Sequence, residues 1–553
     1  MEAMHVLSAA EMQACDRLTT ERFGVPSLDL MRAASAAVAA FAREQFPQAR
    51  RVTVLCGRGN NGGDGMMAAR LLASAGLEVT TLLLGSPEGL SGDAAAAWRE
   101  LSSLKGGPTH GLIHIIETAA ELARQKAALD ADLILDAVVG TGFKPPLKGL
   151  AAAALKWLEG STAPVIAVDL PSGWPADETA ATVATPVFPA DVVITFTAPK
   201  PAHLFGQLTR HWSQPIVVAP IGSPQEAIVS GLNLTWAGSA LSLAQAPRPA
   251  VANKGNYGHV LVVGGSVGKS GAPAMTALAA LRAGAGLVTA AVPVPVLGQV
   301  AAIAPELMTC PLAATPSGCI SAENLAPDTV ASLTAGKTVL AIGPGLGQSP
   351  ETVKFTTGLL SATKIPAVID ADALNILAAK PVLLVKLAKG RQLVLTPHPG
   401  EMARLAGITV TEVQANRLEV ARSFAQRTGV TLVLKGARTL IAHPDGCVAV
   451  NTTGNPGMAK GGSGDLLTGL IAGLLAQHPS EIARAVEAAV YLHGLAADLA
   501  VRRDDEHTFL ATDSLPYLSQ AFRFHSRGPN GYLWLQGLPA ELSQAAAFHE
   551  ESQ

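Results

Sequence analysis

Short, uninterrupted apolar runs recur along this 553-residue chain, and they restrict its fold more than any other feature of the sequence. Each run has the length of a strand and leads, through Gly, Asp, Ser or Asn, into a segment rich in Ala and Leu. Strands without alternating polar residues are buried on both faces, as in a parallel sheet covered by helices. The runs are 52–56, 79–84, 133–135, 165–168 and 192–196 in the first half, and 259–263, 338–342, 367–369, 393–395 and 431–434 in the second. The sequence therefore predicts an α/β protein with parallel sheets.

The length of the chain and the grouping of these runs predict two α/β domains. The region between the two groups contains several prolines among small residues, including Pro247 and Pro249, which is typical of a linker. The last thirty residues are polar at their end and rich in turn-forming residues, which indicates an appended tail. We expect domains at residues 1–222 and 250–523, a linker at 223–249 and a tail at 524–553.

Composition and charge exclude several classes of protein. A formal net charge of −3, without clusters of Lys and Arg among aromatic residues, argues against a nucleic-acid groove. The five cysteines form no C-x-x-C pair and are expected to be reduced thiols in the cytoplasm. No charged residue occurs between Arg282 and Glu306, but the prolines and glycines there favour a buried strand at 287–292 over a membrane span. We expect a cytoplasmic protein with neither a nucleic-acid nor a membrane partner.

The strongest chemical signal is the segment 458–465, Met-Ala-Lys-Gly-Gly-Ser-Gly-Asp, which runs directly into an apolar stretch of helical spacing. A glycine-rich turn before a helix can aim several N–H groups at one point, which suits a phosphate or a developing phosphoryl charge. Asp465 follows this turn, where a carboxylate can take a proton from a hydroxyl group. This pairing suits phosphoryl transfer to an alcohol, or elimination from it. The alternative is that Asp465 only caps the helix.

This segment resembles the G-[AS]-G-D signature of ribokinase-like enzymes, and further motifs in the second half narrow the resemblance. In chain order they are 264–266, 270–273, 343–347, 370–375, 396–401 and 435–436. Over about residues 250–520, the ordered set resembles the ADP/ATP-dependent NAD(P)H-hydrate dehydratase family. The resemblance implies a ribokinase-like α/β domain that dehydrates the S epimer of a hydrated nicotinamide cofactor. It also implies ADP or ATP as the phosphoryl donor, with Mg²⁺ for the nucleotide.

The same resemblance implies roles for individual residues of the second half. Asp465 is expected to be the catalytic base. Substrate contacts are expected from Ala272, Gly345, Gly347, His398 and Asp465, and nucleotide contacts from Lys435, Gly436, Ala437, Arg438, Thr439, Gly462, Ser463 and Gly464. The alternatives are a solvated loop histidine at position 398 and an ordinary surface charge at position 435.

In the first half, the first strand is followed by a glycine-rich loop, Gly-Arg-Gly-Asn-Asn-Gly-Gly-Asp-Gly at 57–65. Gly57, Gly59 and Gly62 satisfy G-x-G-x-x-G, so an NAD-dependent dehydrogenase has to be considered. The acidic residue that binds ribose in such enzymes is missing, because Glu78 precedes the second strand instead of following it. The amides and the carboxylate of this loop suit a nucleotide clamp with a hard cation better than a plain pyrophosphate turn.

Two more polar strand ends follow, 136–142 and 169–173. Together with the glycine-rich loop and Ala-Pro-Lys-Pro at 198–201, they resemble the NAD(P)H-hydrate epimerase family over about residues 5–220. The resemblance implies a Rossmann-like domain in which Asp169 is catalytic and a potassium ion is held by Asn61, Asp136 and Ser172. It implies substrate contacts from Asn60, Asn61, Gly62, Gly63, Asp64, Gly140, Thr141, Gly142, Phe143 and Asp169. The alternative is that both aspartates only cap turns.

The two resemblances imply one protein with an isomerase and a lyase activity on hydrated NADH and NADPH. The first domain would interconvert the R and S epimers, the second would dehydrate the S epimer, and we expect the chain to form a homo-oligomer. One alternative is a ribokinase-type small-molecule kinase fused to a nucleotide-binding regulatory domain, and another is a first half that only binds ligand. A kinase leaves a stable phosphorylated alcohol, whereas a dehydratase releases free phosphate. The choices between ADP and ATP, and between the two hydrated cofactors, stay open at this point.

Overall fold

The computed structural model describes residues 3–103 and 112–539. They belong to two compact units. The N-terminal unit contains residues 4–103, 112–232 and 525–539, and the C-terminal unit contains residue 3 and residues 233–524. Each unit is built around one largely parallel sheet, which confirms the fold class predicted from the apolar runs.

Over the described residues, the sheet of the N-terminal unit has eight strands. They are β1 (Arg51–Cys56), β2 (Glu78–Leu84), β3 (Leu112–Ile116), β4 (Leu133–Ala137), β5 (Val165–Val168), β6 (Val192–Phe196), β7 (Ile216–Ala219) and, much later in the chain, β18 (Leu533–Gln536). Their order is β18-β7-β6-β5-β4-β1-β2-β3, and only β18 runs antiparallel to its neighbour. The order reverses between β1 and β4, and ligands of such sheets bind in the crevice that opens there at the carboxyl ends.

Two helices of the N-terminal unit precede its first strand, and the others lie between strands. They are α1 (Ala9–Glu21), α2 (Ser27–Gln45), α3 (Asn60–Ser74), α4 (Gly92–Ser102), α5 (Ala119–Arg124), α6 (Gly149–Leu158) and α7 (Pro201–Phe205). Strand β1 shows why these strands lack a regular alternation of apolar and polar residues. Val52, Val54 and Cys56 enter one hydrophobic cluster, whereas Leu55 enters a second. Both faces of the strand are therefore buried, as the sequence predicts.

The C-terminal unit contains ten strands in one sheet. They are β8 (Leu234–Trp236), β9 (His259–Val263), β10 (Leu287–Pro293), β11 (Met308–Leu312), β12 (Val339–Ile342), β13 (Ala367–Ile369), β14 (Leu393–Leu395), β15 (Thr431–Leu434), β16 (Leu440–Ala442) and β17 (Val448–Val450). The order is β11-β10-β9-β12-β13-β14-β15-β16-β17-β8. The antiparallel pairs are β15–β16 and β16–β17, and the other neighbours are parallel.

Two helices of this unit are long and apolar, namely α18 (Ser463–Gln477) and α19 (Ile482–Ala500). The full set is α8 (Leu241–Ala244), α9 (Gly271–Arg282), α10 (Leu297–Ala301), α11 (Pro327–Thr334), α12 (Pro350–Ala362), α13 (Ala371–Ala378), α14 (Pro381–Ala388), α15 (Pro399–Ala406), α16 (Val410–Ala415), α17 (Arg417–Thr428), α18 (Ser463–Gln477), α19 (Ile482–Ala500) and α20 (Leu518–Arg523). A Cβ on Gly469 of α18 would lie 2.1 Å from the main-chain oxygen of Thr276 in α9. Glycine therefore permits the close approach of these two helices.

The structure differs from the predicted domain boundaries at both ends of the C-terminal unit. Part of the predicted linker 223–249 belongs to this unit, because β8 pairs with β17 and is buried. Part of the predicted tail 524–553 belongs to the N-terminal unit, because β18 pairs with β7. Both strands are short, and their partners lie more than two hundred residues away in sequence, so no local pattern reveals the pairing.

The uncharged stretch between Arg282 and Glu306 contains β10, as expected, followed by the short helix α10. Over the ranges 3–103 and 112–539, none of the helices combines the length and the hydropathy that a membrane crossing requires.

We predict that β18 stabilises the N-terminal unit. Tyr532 and Trp534 are buried and lie against Phe41 of α2, with ring centroids 5.6 and 6.1 Å from it. Because truncating one buried aromatic side chain typically costs about 3–5 kcal/mol, a chain ending at residue 524 should have a lower thermal midpoint for this unit. Calorimetry compares it with a control chain ending at residue 538, which keeps the strand. Equal midpoints of the two chains would contradict a stabilising role for β18.

Candidate functional site

In the N-terminal unit, a cavity of about 1180 Å³ opens at the carboxyl ends of the strands, where their order reverses. Its wall includes most of the residues expected to contact substrate, namely Asn60, Asn61, Asp64, Gly140, Thr141, Gly142, Phe143 and Asp169. Gly62 and Gly63 lie behind this wall, in the first turn of α3. A Cβ on Gly62 would lie 1.9 Å from the carbonyl oxygen of Gly57, and a Cβ on Gly63 would lie 2.6 Å from Met31. These two glycines allow close packing beneath the cavity.

Asp169, the predicted catalytic residue, follows β5 at φ +68°, a left-handed conformation that residues other than glycine rarely adopt. One carboxylate oxygen accepts from the Lys200 ammonium and from the Thr195 hydroxyl, both at 2.8 Å. The other oxygen accepts from the main-chain N–H and the hydroxyl of Thr141, both at 3.1 Å. Burial alone would raise the pKa of Asp169, but the Lys200 ammonium, His203 and the hydrogen bonds from Lys200 and Thr195 together outweigh burial and lower the pKa to about 2. The cavity therefore contains an ionised carboxylate paired with a buried lysine.

Asp136 and Ser172, two of the three predicted potassium ligands, are in direct contact. The Ser172 hydroxyl and main-chain N–H donate to the Asp136 carboxylate at 2.6 and 2.7 Å. Asp136 is fully buried, and burial raises its pKa to about 6. Asn61, the third predicted ligand, lies against Gly140 on the neighbouring loop, where a Cβ would come 3.1 Å from its side chain. The Asn61 amide nitrogen is buried and has no hydrogen-bond partner within the described residues.

In the C-terminal unit, the predicted anion turn leads into α18. Gly462 is the N-cap of this helix at φ +96°, and the helix begins at Ser463. The first N–H groups of a helix have no partner within it and can bind an anion. Asp465 lies in the first turn, beyond the N-cap position, so the interpretation of Asp465 as the helix cap is wrong. Burial, and then the charge of Asp370, raises the pKa of Asp465 to about 6.

A second acid and a lysine lie beside this turn. Asp370 follows β13, and its carboxylate accepts from the Lys435 ammonium and from the Thr468 hydroxyl, both at 2.9 Å. A Cβ added to Gly464 would lie 3.3 Å from the Lys435 ammonium and 3.7 Å from the Asp370 carboxylate. The glycine turn, one ammonium group and the carboxylates of Asp370 and Asp465 therefore meet at one place.

The loop 435–439, which the sequence predicts to contact nucleotide, is held by Arg417 from α17. The Arg417 guanidinium donates to the carbonyl oxygen of Ala437 at 2.9 Å. Gly436 has φ +136°, and a Cβ there would lie 2.9 Å from the Arg417 guanidinium. Arg438 is also left-handed, at φ +54°. The loop therefore has a fixed, strained backbone, which is common at ligand sites.

A cavity of about 440 Å³ lies next to this cluster, and two predicted substrate contacts, Ala272 and Gly345, line it. Gly347 is not part of the wall, but its N–H donates at 2.8 Å to the carboxylate of Asp372, which is part of it. The hydroxyl of Thr276 in α9 donates to the carbonyl oxygen of Asp465 at 3.1 Å. This bond ties the helix that carries Ala272 to the helix that carries the predicted base.

His398 is the N-cap of α15 and is half-exposed. Its Nδ1 accepts from the main-chain N–H groups of Gly400 and Glu401 at 3.0 and 3.4 Å. Burial, and then the charge of Lys435, lowers the pKa of the imidazole. The side chain of Glu401 in turn lies 3.8 Å from the Lys435 ammonium. His398 thus caps a helix beside the cluster, and its direct contact with substrate stays a prediction.

Sequence reasoning did not assign roles to several residues of these clusters. Lys200 and Asp370 stand inside the motifs 198–201 and 370–375, at strand ends, and that position is a signal that could have found them. Thr195 lies within β6 and Arg417 is the first residue of α17. Nothing in the sequence distinguishes either residue from the other residues of its element. Only the three-dimensional arrangement brings them to the site.

Comparison with protein families gives two matches, one in each half of the chain. Residues 27–202 match the family described as YjeF-related protein N-terminus. Residues 260–519 match the family described as NAD(P)H-hydrate dehydratase. The first match contains the cluster around Asp169, and the second contains the cluster around Asp465.

Individual relatives extend over nearly the whole chain. The bifunctional NAD(P)H-hydrate repair enzyme Nnr of Moorella thermoacetica is 43% identical over 533 residues, which are 94% of this chain and 97% of that protein. The protein of the same name from Escherichia coli is 37% identical over 513 residues, 91% of each chain. The crystal structure of an ADP/ATP-dependent NAD(P)H-hydrate dehydratase from Bacillus subtilis, co-crystallised with ATP and Mg²⁺, is 32% identical. It covers 51% of this chain and 96% of its own, with a TM-score of 0.42.

The buried pair of Asp169 and Lys200 predicts a non-additive effect on stability. Lys200→Met leaves a buried carboxylate without its cation, which typically costs about 3–5 kcal/mol. Adding Asp169→Asn removes the uncompensated charge, so the double variant should recover part of that loss. Urea unfolding of the single and double variants measures the coupling, and Lys148→Met, at an exposed lysine of the same cavity, is the control. Additive losses in the double variant would exclude a coupled pair.

Proposed function

Because this chain belongs to the family of bifunctional NAD(P)H-hydrate repair enzymes, we propose that each of its units performs one of the two repair reactions. The N-terminal unit interconverts the R and S epimers of hydrated NADH or NADPH. The C-terminal unit dehydrates the S epimer with ADP or ATP as the phosphoryl donor. The observation that carries the second assignment is Asp465, a partly buried carboxylate in the first turn of a helix whose first N–H groups can bind an anion.

The dehydration requires a better leaving group than hydroxide at C6 of the reduced ring. Asp465 takes the proton of the C6 hydroxyl while the hydroxyl oxygen attacks the terminal phosphorus of the nucleotide. The turn at 462–464 and the Lys435 ammonium stabilise the charge on the transferred phosphoryl group. The C6–O bond then breaks with help from the lone pair of the ring nitrogen, and a proton leaves C5. The products are the reduced cofactor, inorganic phosphate and a nucleotide with one phosphate fewer.

A kinase fused to a regulatory domain would stop at the phosphorylated alcohol. The nitrogen next to C6 argues against that outcome in this substrate, because its lone pair expels the phosphate. Release of inorganic phosphate in proportion to the recovery of reduced cofactor therefore distinguishes the two reactions.

Magnesium is expected to enter the C-terminal site with the nucleotide. Among the residues that the structure describes, no group of three His, Cys, Asp or Glu side chains is arranged to hold a metal ion. This fits Mg²⁺, which commonly keeps several water ligands and is held by substrate phosphates with one or two carboxylates. Asp370 and Asp465 are the carboxylates next to the anion turn. The ion would neutralise charge on the phosphates.

In the N-terminal unit, we assign Asp169 and Lys200 to epimerisation. Loss of hydroxide from C6 leaves a cationic ring, and return of hydroxide to either face gives either epimer. An ionised carboxylate in a low-dielectric cavity stabilises such a cation. The low pKa of Asp169 keeps it ionised at every physiological pH.

A potassium ion beside Asp136 is consistent with the polar groups present. The Asp136 carboxylate is fully buried, and its pKa of about 6 reflects burial without a compensating cation. The Ser172 hydroxyl and the Asn61 amide supply further oxygens from two other loops. A monovalent ion there would fix the three loops that form one side of the cavity.

The first prediction from this proposal concerns Asp465. Asp465→Asn keeps the size of the side chain and removes the base, so dehydration of the S epimer should fall by about 10²–10⁴-fold. Absorbance of the reduced nicotinamide, followed together with phosphate release, measures the rate. Epimerisation by the same variant is the control and should persist. Dehydration at the wild-type rate would refute the role of Asp465.

The second prediction concerns potassium. An ion at one hundred times its Kd adds about 2.7 kcal/mol to the unfolding free energy. The thermal midpoint of the N-terminal unit should therefore rise by several degrees in KCl relative to choline chloride at equal ionic strength. Asp136→Asn should abolish the difference, whereas Asp132→Asn, at a partly exposed acid of the same unit, should not. If KCl raises the thermal midpoint of wild type and of Asp136→Asn equally, a potassium site at Asp136 is excluded.

A further inference from the structure

His203 is a fully buried imidazole, in α7 of the N-terminal unit, to which neither family resemblance assigns a role. Both of its ring nitrogens form hydrogen bonds with the main chain. The Lys200 N–H donates to Nδ1 at 2.9 Å, and Nε2 lies 2.8 Å from the carbonyl oxygen of Asp169. Because Nδ1 accepts, the ring proton is on Nε2, which donates to Asp169. The ring is therefore neutral, and it joins the main chains of the two charged residues of the site.

The bond to Asp169 falls at a strained position of the backbone. Asp169 adopts φ +68° directly after β5, and Thr197, directly after β6, adopts φ +61°. Non-glycine residues hold such conformations only where their surroundings impose them. The Nε2–H of His203 fixes the carbonyl group of Asp169, so it restrains the peptide that sets the direction of the Asp169 side chain.

The bond to Lys200 acts on the other member of the pair. Lys200 precedes α7, and its ammonium reaches Asp169 at 2.8 Å and the Thr195 hydroxyl at 2.7 Å. A lysine side chain has four rotatable bonds, so the position of its ammonium depends on where its main chain is held. The wall of the cavity includes Asp169 and Lys200 but not His203.

We propose that His203 is a positioning residue for epimerisation: it aligns Asp169 and Lys200 by holding their main chains, without touching the substrate. This inference rests on the proposed role of the Asp169–Lys200 pair in the first reaction. It predicts that the two hydrogen bonds contribute differently. The bond to Asp169 restrains a strained residue, whereas the bond to Lys200 restrains an ordinary one.

Two conservative substitutions separate the two bonds. The terminal amide nitrogen of glutamine can occupy the place of Nε2, so His203→Gln keeps a donor for Asp169. The amide oxygen of asparagine can occupy the place of Nδ1, so His203→Asn keeps an acceptor for Lys200. His203→Leu removes both, and His211→Gln, at an exposed histidine of the same unit, is the control.

Each full-length variant is assayed for epimerisation of hydrated NADH, with kcat and KM determined separately. When the bond to Asp169 is lost, its backbone can relax out of the strained conformation and move the carboxylate. The strain energy of one residue corresponds to about a 10- to 100-fold change in the rate of epimerisation. We expect this loss in kcat for His203→Asn and His203→Leu, with KM nearly unchanged. We expect a smaller loss, of about threefold, for His203→Gln, which gives up only the bond to Lys200, whereas His211→Gln should match wild type. Dehydration of the S epimer by the same samples should be unaffected. This control shows that the C-terminal unit of each variant is folded and active.

The results that would overturn the inference are distinct. Wild-type kcat in His203→Leu would show that no positioning is needed. Equal losses in the glutamine, asparagine and leucine variants, in step with lower thermal midpoints of the N-terminal unit, would show a purely structural role. Failure of the wild-type chain to interconvert the epimers would refute the epimerase activity itself, and the inference with it.

Discussion

The burial of both sheet faces is the constraint from which both candidate sites follow. Strand β1 is covered on each side by hydrophobic clusters, and Thr53, the polar residue in its buried part, donates its hydroxyl to the carbonyl oxygen of Ala128. Charged side chains are instead placed where strands end, and parallel strands gather these ends at one edge. For this reason Asp169 after β5 lines the cavity, the buried Asp136 near the end of β4 contacts Ser172 in the loop after β5, and Asp370 after β13 reaches the turn before α18.

Strain in the backbone accompanies both sites. Asp169 and Thr197 in the N-terminal unit, and Ala371 and Arg438 in the C-terminal unit, all adopt left-handed conformations without being glycine. Asp169 and Arg438 are charged themselves, Ala371 directly follows Asp370, and Thr197 lies three residues before Lys200. Such strain is retained where the surrounding contacts fix it, and His203 and Arg417 provide contacts of this kind.

The sequence was sufficient to predict the central strands and most of the polar loops that follow them. The runs 259–263, 367–369, 393–395 and 431–434 coincide with β9, β13, β14 and β15, because a fully buried strand has a distinct local composition. Edge strands such as β3 and β18 have no such signature, since their pairing depends on distant residues. The same holds for Thr195 and Arg417, whose hydrogen-bond partners are set by the fold.

The location of β18 has a consequence for how the protein is made. A chain that emerges from the ribosome N-terminus first usually folds its domains in the same order. Here the sheet of the N-terminal unit lacks one strand until residues 533–536 have been synthesised, whereas all the strands of the C-terminal sheet lie within residues 233–524. The second unit can thus complete its fold while the first still has an open edge beside β7.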